Sequence, residues 1–249
     1  MGHGWHGVAL RLLRGKDFTF TVRSNERVSP QLHRLGFADG GMLEASGVHP
    51  TMWVRLWFEH RGRPHQRGYT LVDPDPGAGT FAIEFVLHPG AASDWARTAR
   101  PGDTIEATLQ GTGFSLPQPL PSRLLIVGGP ASRPAVNSLL ESMPSVPATV
   151  WFEGADPAQD GGDPRRAAPG YEVVRVPGRG DGALLVEAVR SGLPGLLDEG
   201  AYVWIACDTA TTRTLAAFVR KDLGVPKERL HAFGYWRVEQ AQRAAAGRT

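Results

Sequence analysis

A two-domain architecture is expected, an antiparallel β-barrel over residues 1–118 followed by an open, mainly parallel α/β sheet over 119–249. Three observations predict it. The first half alternates short apolar, β-branched runs with turn residues, the rhythm of strands. Leu116-Pro117-Gln118-Pro119-Leu120-Pro121 then places three prolines in six residues, which suits neither a helix nor a central strand and reads as a linker. Beyond it, strand-like runs alternate with helical ones, the order of a parallel sheet flanked by helices.

In the first half the strand runs are Phe18–Val22, Met52–Phe58, Gly68–Val72, Phe81–Leu87 and Thr104–Leu109, with one short helix over Ser93–Ala99. Asp73-Pro74-Asp75-Pro76 reads as a turn. Several short strands with so little helix suggest closure into a barrel. In the second half Leu124–Val127 is a continuous apolar run, as a strand buried on both faces should be. Gly128-Gly129-Pro130 turns into a helix over Pro134–Ser142. Strands follow at Ala148–Phe152 and Tyr171–Val176, with a surface loop between Gly154 and Gly170 that composition marks as mobile. A helix at Ala183–Ser191, a strand at Ala201–Ala206, a helix at Thr211–Leu223 and a strand at Leu230–Trp236 complete the pattern. Leu215, Ala216, Val219 and Leu223 recur at helical spacing and should face the sheet.

Composition narrows the function. The 249 residues are 41% hydrophobic and 21% charged, enough to bury a real core. A formal charge of +2 speaks against general nucleic-acid binding. Cys207 is the only cysteine, so no intrachain disulfide is expected, as in a reducing, cytoplasmic setting. No apolar run reaches the length of a membrane span or a signal peptide. The eight histidines lack ligand spacing, so no metal site is expected, and His3 and His6 are the only adventitious candidates. No nucleophile elbow, Walker loop or Cys-x-x-Cys is found, and the Gly111-Thr112-Gly113 and Gly178–Gly182 runs read as turns.

The most informative stretch is Arg67-Gly68-Tyr69-Thr70. On an extended segment Arg67 and Tyr69 share one face, where a guanidinium can pair with a pyrophosphate and an aromatic ring can lie against a flavin. A surface pair of ordinary residues is the plain alternative. Together with Gly7–Arg11, Phe85-Val86-Leu87-His88, Ala92-Ser93-Asp94-Trp95-Ala96, Pro101-Gly102-Asp103 and Gly234-Tyr235-Trp236-Arg237, the stretch resembles the siderophore-interacting proteins, a branch of the ferredoxin-reductase-like flavoproteins. Within that branch it is most similar to the cytoplasmic domain fused to ABC-type importers of iron-loaded siderophores.

The resemblance implies a ferredoxin-reductase-like fold with FAD in the barrel, NAD(P)H as co-substrate in the second domain and a ferric siderophore as electron acceptor. It implies that Arg67 clamps the pyrophosphate while Gly68, Tyr69 and Thr70 lie along the flavin. Val86, Leu87 and His88 would line the ring, and Ala92, Ser93 and Trp95 open a phosphate-facing helix, for which a plain cap and a core tryptophan are the alternative. Ser132 and Trp236 would serve cofactor binding in the second domain. Electron transfer would need no protein acid, base or nucleophile, so no catalytic residue is assigned.

Between Arg213 and Arg243 seven basic residues face three acidic ones, and Arg213, Arg220, Lys221 and Arg237 are candidates for receiving NAD(P)H or an anionic iron chelate. The sequence departs from the family pattern at Val72, where a basic residue is usual, and at Gly129-Pro130, where an acidic pair is usual. Alternatives are another FAD-dependent NAD(P)H oxidoreductase with a protein or small organic acceptor, and a flavin- or siderophore-binding module without turnover. A membrane importer, fused or associated, is the implied partner and would hold the chain at the inner face of the cell membrane.

Overall fold

The structure, a computed structural model, describes residues 17–60, 62–111, 114–154, 156–164, 170–178 and 181–237. His3, His6, Gly7–Arg11, Thr112-Gly113, Arg179-Gly180, Glu239 and Arg243 lie outside the described residues. The chain divides into two compact units, Met1–Ser115 and Leu116–Thr249.

The first unit holds β1 (Asp17–Ser29), β2 (Leu32–Ala38), α1 (Met42–Ser46), β3 (Trp53–His60), β4 (Arg63–Thr70), β5 (Val72–Asp75), β6 (Thr80–Val86), α2 (Ala91–Thr98) and β7 (Thr104–Gly111). The strands form one antiparallel sheet in the order β4-β3-β7-β1-β2-β6-β5. Although β4 and β6 stand far apart in that order, Tyr69 and Phe85 meet with ring centroids 4.6 Å apart. Only a strongly curled sheet permits this contact, so the sheet is a half-barrel around its aromatic core. The edges β4 and β5 join through Leu71, whose amide donates to the Met52 carbonyl (2.9 Å), rather than through a ladder.

Three features depart from the expected pattern. Strand β2 and helix α1 were not anticipated, because bulges in β1 at Val22/Ser24 and Arg27/Ser29 interrupt the alternation on which strand reading depends. The Asp73–Asp75 segment is strand β5 rather than a turn, since an edge strand tolerates Pro74 on its unpaired side. Helix α2 begins two residues before Ser93 and buries Ala92 and Ala96 against the barrel.

The second unit holds β8 (Leu124–Gly128), α3 (Arg133–Ser142), β9 (Ala148–Gly154), α4 (Pro157–Asp160), β10 (Tyr171–Pro177), α5 (Ala183–Gly192), β11 (Tyr202–Ile205), α6 (Thr209–Ala217) and β12 (Leu230–Ala232). All pairings are parallel, in the order β10-β9-β8-β11-β12. The strand order reverses between β8 and β11, which makes their carboxyl ends the crevice where such sheets take ligands. Helices α5 and α6 cover one face through Leu185, Val189 and Leu215, packed on Val127, Trp151 and Ile205.

Here too the sequence reading needs correction. The Gly154–Gly170 stretch is not a plain loop, because Pro157–Asp160 is helical and Asp160 is buried. The last helix starts at Thr209, two residues early, since the Asp208 carboxylate caps it by accepting from Ala210 and Thr211 amides (2.9 and 3.3 Å). It then passes into a π-helical turn, Phe218–Asp222. Strand β12 is shorter than expected, and beyond Ala232 the chain stays tied to the end of β11 through the Phe233 and Tyr235 amides, which donate to the Ile205 (2.9 Å) and Cys207 (2.8 Å) carbonyls, and through the Asp208–Trp236 bridge.

Candidate functional site

In the first unit the site is built where β4, β6 and α2 converge. Register sets Tyr69 opposite Val54 and Arg67 opposite Leu56, both on the core-facing side of β4. The Tyr69 ring packs on Phe85 (4.6 Å) and Phe58 (6.3 Å), and burial raises its phenol far above the ordinary range, so it stays neutral. Two residues away, beyond the core, Arg67 is exposed, and its Nη1 donates to the Gln66 carbonyl (2.8 Å). Strand β6 ends at Val86 and leads through half-buried Leu87 and exposed His88 into α2.

The start of α2 is open. Gly90 takes φ 145°, a conformation that disfavours any side chain, and no side chain caps the helix. Its first amides therefore point outward as donors, and the helix dipole adds to their pull on an anion. Asn25 fixes the other end of α2, donating from Nδ2 to the carbonyls of Ala96 (2.8 Å) and Ala99 (2.9 Å). A guanidinium with unengaged donors, a neutral aromatic face and an uncapped helix start together form a donor set that fits the pyrophosphate and ring of FAD.

Several expected contacts find other partners. The Ser93 hydroxyl is buried and accepts from the His88 amide (3.0 Å), so it closes the turn instead of facing a ligand. Trp95 stacks among Phe37, Phe58 and Phe85 and belongs to the core. Ala92 and Thr70 are buried as well, leaving the α2 amides and the ring of Tyr69 to meet a cofactor. Gly68 answers to the opposite face of β4. A Cβ there would stand 3.1 Å from the Trp53 ring, over which Arg55 lies at 5.3 Å.

In the second unit the crevice between β8 and β11 is lined by backbone and acids. Ser132 is fully buried, its hydroxyl accepting from the Gly129 amide and closing the turn after β8, so it offers no side-chain contact to a ligand. A Cβ at Gly129 would lie 3.2 Å from the Glu153 carbonyl and 3.7 Å from the Trp236 ring, which places that indole at the crevice. Trp236 is held there by its own carbonyl, which accepts from the Thr209 amide (2.8 Å) and hydroxyl (3.0 Å).

Glu153, at the carboxyl end of β9, was not singled out from the sequence, although a lone acid closing the apolar run Val150-Trp151-Phe152 was a readable signal. Its Oε1 is buried without a hydrogen-bond partner. Burial, then the Asp208 and Asp181 carboxylates, push its carboxyl up to about 7. The same surroundings, burial foremost, push the Cys207 thiol up, so that thiol is no ready nucleophile.

Glu153→Gln is expected to stabilise the chain at pH 8 and to leave it unchanged at pH 4. Below its ordinary value of 4.5 Glu153 is neutral in both folded and unfolded chains; between 4.5 and about 7 only the unfolded chain ionises, so wild-type stability falls as pH rises and levels off above 7. Allowing for partial solvent access, the gain is about 1–2 kcal/mol, and urea unfolding at the two pH values checks it.

Arg213, Arg220, Lys221 and Arg237 are all exposed; Arg237 follows Trp236 at the crevice, while the other three lie on α6 and the π turn beyond it. Helix α6 starts at the crevice, and Arg220 lies eleven residues past Thr209, roughly 16 Å along the axis at the ordinary helical rise. The π turn also takes Arg220 out of the seven-residue register with Arg213. Arg213 alone of that trio stands near the helix start.

The curled antiparallel sheet followed by a doubly wound parallel one is the ferredoxin-reductase-like fold. A ferredoxin NADP+ reductase from Neisseria gonorrhoeae, solved with bound FAD and NADP, superposes with TM-score 0.67 at 15% identity, over 89% of this chain and 99% of that one. The siderophore-interacting protein SipS from Aeromonas hydrophila does so with TM-score 0.74 at 24% identity, over 90% and 100%. The model of the siderophore-interacting FAD-binding domain matches residues 48–109 and that of the siderophore-interacting protein matches 121–239, in that order. The chain belongs to the siderophore-interacting protein family.

Among curated relatives, the mycobactin import ATP-binding/permease protein IrtA of Mycolicibacterium smegmatis is 33% identical over 99% of this chain. The chain spans only 29% of that protein's length. The ferric vibriobactin reductase ViuB of Vibrio cholerae is 25% identical over 73% of this chain and 67% of its own length. Among the described residues, no helix is long and apolar enough to cross a membrane, and no group of residues is placed to hold a metal ion.

Proposed function

We propose that this chain is an FAD-dependent ferric-siderophore reductase that draws electrons from NAD(P)H. The observation that carries the reading is the donor set of the first unit: exposed Arg67, the neutral Tyr69 face and the uncapped start of α2. Residues 1–118 are assigned to FAD and 119–249 to the nicotinamide nucleotide. Arg67 and the α2 amides hold the pyrophosphate, Tyr69 lies against the ring system, and Val86, Leu87 and His88 border it. Trp236 shapes the crevice that receives the nucleotide. FAD, when bound, supplies the exchange between two-electron and one-electron chemistry.

Each NAD(P)H that yields a hydride provides electrons for a pair of ferric centres and leaves one proton in solution. Ferric iron is hard and held tightly by oxygen donors; the ferrous ion binds them less well, and the iron is freed. The protein's part is placement and field, in keeping with a buried thiol of raised pKa and no nucleophile–base pair in the sequence. The similarity to ViuB and to part of IrtA supports the siderophore as acceptor, and in this reading the chain works on the cytoplasmic side of an importer, joined to it or separate.

The test is anaerobic. NADH or NADPH should bleach the flavin of the purified protein, and an added ferric siderophore should restore the yellow colour with ferrous iron appearing in a chelator assay. A colourless protein that no FAD reconstitutes refutes the reading. Arg213→Glu should raise the apparent KM for NAD(P)H several-fold and weaken its salt dependence, whereas the Arg220→Glu, Lys221→Glu pair should change neither. Steady-state kinetics at two ionic strengths separate these outcomes.

A further inference from the structure

Glu153 sits where a nucleotide-binding crevice should welcome negative charge, yet it brings a third carboxyl group to a place that already has two. Asp208, at the carboxyl end of β11, is committed to capping α6. Asp181, ahead of α5, accepts from the Ala183 amide through a carboxylate oxygen (3.0 Å). Cys207 faces the same cluster with a raised thiol, and the Gly129 backbone and the Trp236 ring complete the surroundings. On the other face of the sheet, Arg175 is engaged by Asp160 (3.0 Å) and Asp163 (2.5 Å), and its neighbour across the ladder is Phe152 rather than Glu153. Among the described residues, the charges acting on Glu153 are the two aspartates and no cation.

A buried carboxyl with an unpartnered oxygen, facing two committed carboxylates, holds its proton. We propose that neutral Glu153 is a hydrogen-bonding group of the dinucleotide crevice and that its ionisation turns the anionic dinucleotide away. This rests on the assignment of the second unit to NAD(P)H and adds the residue that gates it. The ligand class is a pyrophosphate-bridged dinucleotide, whose charge is repelled once three carboxylates stand at the mouth. The neutral acid offers one donor and one acceptor, a match for an amide or a ribose hydroxyl. The burial of Glu153 places the change near neutral pH, within the range a cell visits.

The experiment is equilibrium binding of NAD+ and of NADP+ to the FAD-loaded protein by calorimetry, from pH 5.5 to 9. In the wild type the Kd for whichever dinucleotide binds should rise about tenfold through a single ionisation near neutrality. In Glu153→Gln, which keeps a donor and an acceptor, the Kd should stay flat and near its low-pH value. Asp181→Asn should move the wild-type midpoint to lower pH, a response that a merely structural carboxyl would not give. A flat wild-type profile, a pH dependence retained in Glu153→Gln, or no binding of either dinucleotide at any pH overturns the inference. Because binding is read without turnover, failure of the flavin to bleach with this pH profile intact would sink the reductase reading alone.

Discussion

Arg67→Ala should yield a pale protein whose FAD binds about ten- to a hundredfold more weakly than in the parent. Under the proposed binding mode, the contact that would be lost is a charge-assisted hydrogen bond to a phosphate oxygen, worth about 1.5–3 kcal/mol. The fold should not suffer, because Arg67 is exposed and its guanidinium bonds to the carbonyl of the preceding residue. Quenching of flavin fluorescence gives the Kd, and riboflavin serves as the control, since it has no phosphate for Arg67 to hold. Equal losses for FAD and riboflavin would place the pyrophosphate elsewhere, and an unchanged FAD Kd would remove Arg67 from the site.

Asp160→Ala should lower the stability of the second unit by about 2–3 kcal/mol. Asp160 is 4% exposed, and its carboxylate holds Arg175 Nη1 at 3.0 Å while its carbonyl accepts from buried Arg133 (2.5 Å). Arg175 Nη2 already has no partner. Removing the carboxylate leaves a partly buried guanidinium held only by Asp163, and breaking such a pair costs more than the pair itself contributes. Arg175 keeps some solvent access, which holds the loss below that of a fully buried ion. Urea unfolding followed by the fluorescence of buried Trp151 and Trp204 should show a lower midpoint with an unchanged slope. A midpoint equal to the parent's would mean that the Pro157–Asp160 turn is held by other contacts.

The second unit was the more legible half because parallel strands buried on both faces read as unbroken apolar runs. Leu124–Val127 and Val203–Ile205 carry their burial in their composition. The first unit yielded less where its β-bulges shift the alternation, and β2 was hidden for that reason. In the site, Arg67 and Tyr69 could be placed on one strand face from spacing alone, and the register agrees. The commitments of Ser93, Ser132 and Trp95 could not, because each depends on partners distant in sequence or on the closure of a turn. The acid at Glu153 acquires its meaning only from Asp181 and Asp208, which the topology brings to it from 28 and 55 positions along the chain. Helix α6 shows the limit of periodicity: a single π turn undoes a seven-residue coincidence.

Three of the outer strands of the two sheets are poor templates for other chains. Strand β4 carries Pro64 and the charge of Arg67, and β5 carries Pro74 between Asp73 and Asp75. At the far side of the parallel sheet β12 is only three residues long. Unpaired amides and carbonyls invite intermolecular strand addition, and prolines, charges and brevity discourage it. The charge of Arg67 thus guards an open edge whether or not a ligand is bound. The FAD-free chain should remain colloidally stable, and neutral substitutions along β4 should show their harm first as slow association of the empty protein.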